Sequence, residues 1–139
     1  MSLYRKLGIA IVFSWFFFGG IGHFVVTDFF TSIVPPYIPY PRAMVYISGV
    51  FEILGALGIL IPLTRRLAGA GLVLLTLCVT PANVNMWLHP DQFSEMHLGG
   101  LVVHTSPTVL GLRLVIQVAL IACIIGSTIL TPKKRTAWA

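Results

Sequence analysis

Four apolar runs of about 20 residues, the length a helix needs to cross a hydrocarbon core, occupy most of this 139-residue chain. They fall at about residues 7–26, 43–62, 67–88 and 107–130. Lipid offers no hydrogen bonds to a backbone, so runs of this kind must be helices that satisfy their own peptide groups and pack on one another. The expected fold is all-α: a four-helix transmembrane bundle that forms a single integral membrane domain over residues 1–139. With 57% hydrophobic and 9% charged residues, the lipid bilayer is its expected solvent.

The segments between the runs carry the turn and stop signals. After Asp28, the stretch from Phe29 to Arg42 holds Pro35, Pro36, Pro39 and Pro41 with Tyr37 and Tyr40, which suits an extended loop at the headgroup level. Only Leu63 and Thr64 separate the second run from Arg65, so the third run returns antiparallel to the second. Gly49, Gly55, Ala56 and Gly58 give the second run small residues at helical spacing, which allow close backbone approach. Pro81 inside the third run removes a hydrogen bond to the Leu77 carbonyl and predicts a kink. Ser106-Pro107 reads as a hydroxyl cap followed by proline at the first helical position. The fourth run ends before Pro132, Lys133, Lys134 and Arg135.

Orientation follows from the basic residues. Arg5, Lys6, Arg65, Arg66, Lys133, Lys134 and Arg135 fall on one side of a four-span arrangement, which predicts both termini in the cytoplasm. Arg42, Arg113 and all four acids, Asp28, Glu52, Asp91 and Glu95, belong to the other half. The net charge of +5 is distributed as short clusters beside apolar runs, with no groove of interleaved basic and aromatic residues, so no nucleic-acid partner is expected. The apolar run after Arg5 and Lys6 continues through Val26 without a small-residue cleavage site, so the first span is expected to remain in the protein. Cys78 and Cys123 sit inside apolar runs and read as buried thiols, with a reversible disulfide as the alternative.

Polar residues inside spans are costly and therefore informative. Counted at 1.5 Å per residue from the expected outer helix ends, His23 lies about 5 Å deep, Asn83 about 8 Å, Arg113 about 9 Å, Glu52 about 14 Å and Gln117 about 15 Å. These five residues are the candidate ligand-binding set, with Glu52 and Arg113 expected to form an ion pair, since a buried carboxylate needs a partner. No catalytic residue is assigned. His89, Asp91, Glu95, His97 and His104 could in principle bind metal, but no histidine pair is spaced to place two imidazoles on adjacent turns, and neither a metal site nor a haem is expected.

Several segments together resemble the DoxX-like family of small four-helix membrane proteins. They are Gly19-Gly20-Ile21-Gly22-His23-Phe24 with the proline-rich loop after it, Gly49-Val50-Phe51-Glu52-Ile53-Leu54-Gly55-Ala56-Leu57-Gly58, Pro62 before Arg65-Arg66, and Pro81-Ala82-Asn83. The resemblance implies a bacterial cytoplasmic (inner) membrane location and a link to quinone-dependent redox systems or oxidative-stress complexes. Two functional readings follow. In the first, the polar cluster binds a quinone or similar lipidic small molecule as a subunit of a membrane redox system, with enzyme activity going no further than a membrane oxidoreductase subunit. In the second, the protein is a non-catalytic assembly or interaction protein with a structural polar layer, and its outer loops contact a membrane or periplasmic partner.

Overall fold

The computed structural model describes residues 1–130. Four long helices form the body of the fold: α1 (Leu3–Val25), α3 (Pro41–Leu60), α4 (Arg65–Leu88) and α5 (Pro107–Ile124). A short helix, α2 (Thr27–Ser32), follows α1, and α5 runs on as a π turn over Ile125–Ile129. All four long helices are long and apolar enough to cross a membrane. The sequence boundaries hold to within a few residues. The basic cluster after Pro132 lies outside the described residues.

The helices close into a ring, α1 against α3, α3 against α4, α4 against α5, and α5 with its π turn back against α1. Ile9, Val12, Phe16, Ala56, Ile59, Leu72, Leu120 and Ile124 fill the centre near the Arg65 end. Small residues set the spacing of the ring. A methyl group on Gly20 would stand 2.9 Å from the Gly49 carbonyl oxygen, so α1 and α3 meet backbone to backbone. Between α3 and α4, Gly55 and Gly58 instead make room for side chains of α4, Leu72 and Ala68.

The α3–α4 turn is held by its own polar groups. The carbonyls at the end of a helix have no partner within it, and here Arg65 Nε donates to Ile59 O at 2.6 Å while Nη2 donates to Leu60 O at 2.9 Å. Thr64 Oγ1 adds a bond to Gly58 O at 2.8 Å. A cation at a helix C-terminus is also favoured by the peptide dipoles.

The opposite end departs from the sequence expectation in one place and carries one further element. The segment after Asp28 is helical up to Ser32 before the prolines turn it, because Thr31 and Ser32 bond back to Thr27 O and Phe29 O. The stretch after His89 contains a hairpin, β1 (Glu95–Leu98) and β2 (Leu101–His104), antiparallel with Met96 opposite Val103. Its turn is Gly99-Gly100, both with positive φ, which only glycine adopts without strain. Phe29, Ile33, Met86, Phe93, Met96 and Leu110 pack beneath this cap as a second apolar cluster.

A candidate ligand layer in the membrane half beneath the hairpin

Helix α1 brings His23 inward four residues after Gly19, on the face that meets α3. His23 is buried, and its Nδ1 lies 2.9 Å from Val45 O and 2.9 Å from Ser48 Oγ. A carbonyl only accepts hydrogen bonds, so Nδ1 carries the hydrogen and Nε2 is left to face the interior. There it meets Glu52 Oε1 at 3.6 Å, slightly beyond hydrogen-bond length. Phe30 covers the imidazole with ring centroids 4.0 Å apart. Gly19 makes room for the other carboxylate oxygen, since a methyl there would come within 3.1 Å of Glu52 Oε2.

The facing wall is built by α4 and α5. Asn83 Nδ2 donates to Gln117 Oε1 at 2.6 Å, and Gln117 Nε2 donates to Thr76 O at 3.1 Å and to Thr80 Oγ1. Helix α4 passes through Pro81 without interruption. Proline supplies no donor to Leu77 O, while the neighbouring Thr76 O receives both Gln117 Nε2 and Thr80 Oγ1.

Arg113 lies three residues after Leu110 and four before Gln117, on the inward stripe that continues through Leu120 and Ile124. It is half-buried, its Nε is shielded, and it makes no hydrogen bond or ion pair among the described residues. The expected Glu52–Arg113 ion pair is therefore not formed: Glu52 faces His23 instead. The reason is placement around the ring: Glu52 lies on the face of α3 that meets α1, beside Gly19 and Gly20, whereas Arg113 is carried by α5, which packs on α1 and α4 and stands diagonally across from α3.

The structure thus divides the five residues named from the sequence. His23 and Glu52 face each other on the α1–α3 wall, Asn83 and Gln117 bond each other on the α4–α5 wall, and Arg113 stands apart from both. Sequence reasoning missed Ser48, which the three-residue spacing from Val45 could have suggested, and Thr76 and Thr80, whose spacing places them on one face of α4. Cys78 is not a buried thiol: it is exposed on the outside of the bundle. Cys123 is half-buried, with Sγ 3.8 Å from Gly8 O. Among the described residues, no three His, Cys, Asp or Glu side chains converge as metal ligands do.

A closed ring of four membrane-spanning helices with a polar layer near one end defines a small multi-pass membrane protein. The chain belongs to the family described as a domain of unknown function, DUF8561, whose model matches residues 12–137. That match overturns the resemblance to DoxX-like proteins. Glycines in the spans, a proline at a helix end and a basic pair in a short turn are what any tight small bundle in a membrane requires, so they do not single out one family. No curated protein matches the chain, and no solved structure matches it.

Proposed function

We propose that this protein binds a small lipidic molecule with an oxygen-bearing head, such as a quinone, in the membrane half beneath the hairpin, where His23 and Glu52 exchange a proton with that head. One observation carries the reading. His23 Nε2 and the Glu52 carboxylate face each other at 3.6 Å, and neither makes a hydrogen bond with another group among the described residues. A membrane-embedded acid and imidazole with unused hydrogen-bonding capacity are costly to keep for packing alone. Asn83 and Gln117 complete the facing wall. In this reading the protein works as a subunit of a membrane redox system in a bacterial cytoplasmic membrane, with both termini in the cytoplasm, as the placement of basic residues favours.

The test is titration of purified protein with a short-chain quinone analogue, comparing wild type with Glu52→Gln and His23→Asn. Saturable binding that weakens about tenfold in either variant is expected. Equal affinity in all three proteins would refute the reading.

A second reading is favoured by a different feature. A cleft of about 370 Å³ between α2 and the hairpin is lined by Asp28, Ser32, Gln92, Glu95 and His97 above Phe29, Phe93 and Met96. If this surface docks a membrane or periplasmic partner, the polar layer below serves to hold helix register. Replacing Glu95 and His97 would then abolish co-purification of that partner while leaving quinone titration unchanged.

A further inference from the structure

We infer that Arg113 takes its counter-charge from outside the chain, as an oxyanion head, a phosphate or a carboxylate, carried by an amphiphile that reaches α5 from the bilayer. The argument is a charge balance. The sequence contains four side-chain carboxylates, Asp28, Glu52, Asp91 and Glu95. Asp28 is bonded by Arg42, Glu52 faces His23, and Glu95 lies 3.7 Å from His104. Asp91 is exposed in the 3₁₀ turn after α4. None of the four reaches Arg113. An arginine side chain remains charged in proteins, and a charge within a span requires a partner, water or an escape to the interface.

Escape by extending toward the headgroups is the usual answer for an arginine on a lipid-facing surface. Arg113 does not occupy such a surface. Leu112, Val115 and Ile116 face outward, whereas Arg113 shares the stripe of Leu110 and Gln117. Its Nε is shielded from solvent without a bond among the described residues, while the residue as a whole is half-buried in the seam. A planar fork of donors in that state matches the two oxygens of a carboxylate or phosphate.

Register places this anion beside the layer described above. Gly8 of α1 lies against Ser127, so equal rise along antiparallel helices sets Arg113 at about the level of Gly22 and His23. The inference rests on the ligand reading only for that placement, since the charge balance stands without it.

The experiment uses the full chain, delipidated and held in dodecylmaltoside, a detergent with neither phosphate nor carboxylate. Thermal stability is recorded against phosphatidylglycerol, laurate and inorganic phosphate, with dioleoylglycerol and dodecanol as uncharged counterparts. A saturable rise in Tm with an anionic amphiphile and none with its uncharged counterpart is expected, weakened about tenfold or more in apparent affinity by Arg113→Gln. A response to phosphatidylglycerol alone assigns the head to a phospholipid. A response to laurate assigns it to a free carboxylate amphiphile, and a response to inorganic phosphate without one to either anionic amphiphile would overturn the amphiphile. Arg113→Lys, which keeps the charge but not the fork, should respond weakly, and the comparison of charged with uncharged ligands on wild type needs no variant to fold. An equal response to charged and uncharged amphiphiles, or an undiminished one in Arg113→Gln, would overturn the inference. Quinone titration is a separate measurement through His23 and Glu52, so either result can fail while the other stands.

Discussion

His23 holds Val45 O through Nδ1 and turns Nε2 toward Glu52 Oε1, 3.6 Å away. One side of the imidazole is thus structural and the other is available for chemistry, and substitutions can separate the two. His23→Asn keeps an amide donor near the Nδ1 position and is predicted to fold with a loss of under about 1 kcal/mol, while His23→Leu should cost about 1–2 kcal/mol by removing a donor from Val45 O. Thermal unfolding in detergent measures both. If His23→Leu unfolds at the wild-type temperature, the Val45 bond has no structural weight.

The α4–α5 wall predicts an energetic coupling between Asn83 and Gln117. Interhelical hydrogen bonds of this kind in membranes are worth about 0.6 kcal/mol on average and up to about 1.7 kcal/mol. A double-mutant cycle with Asn83→Ala and Gln117→Ala should therefore give a coupling of about 1 kcal/mol. Additive single effects would mean that the 2.6 Å contact contributes nothing.

Two glycines of α4 offer a matched pair. A methyl group on Gly69 would collide with the Thr128 hydroxyl, whereas one on Gly71 would meet nothing within 4 Å. Gly69→Ala is predicted to destabilise the bundle by about 1–3 kcal/mol through overpacking. Gly71→Ala should be neutral, or stabilising by up to about 1 kcal/mol through helix propensity. Melting temperatures of the two variants in the same detergent give the comparison, and the reverse order would contradict the close approach of α4 to the π turn.

Orientation can be measured directly. In a background with Cys78 and Cys123 replaced by alanine, a cysteine at Gln92 should react with a membrane-impermeant maleimide in intact cells. A cysteine at Thr64 should react only after permeabilisation. The opposite pattern would invert the topology inferred from the basic residues.

Much of the bundle was legible because the physics behind it is one-dimensional. Run length, the Ser106-Pro107 start and the spacing of Gly49, Gly55 and Gly58 act within a helix or on its immediate neighbour, and each appears in the structure where the sequence put it. The pairing within the site was not legible, because it depends on which helices are neighbours in the ring and which face each turns toward the next. Tyr40, at φ 52°, turns the chain into α3 in a left-handed conformation that the sequence does not announce. The hairpin did leave a signal: Gly99-Gly100 lies between Glu95-Met96-His97-Leu98 and Leu101-Val102-Val103-His104, a two-glycine turn flanked by apolar and branched residues.

The contact of Gly20 with Gly49 has a consequence for how this layer can vary. Since main chain touches main chain there, the separation of the two helix axes at that height does not depend on which side chains line the interior nearby. His23 and Glu52 are mounted on a fixed frame, and relatives that keep both glycines are free to exchange the groups presented between α1 and α3 without re-docking the helices. Architecture at that height is thus decoupled from the chemistry of the groups presented.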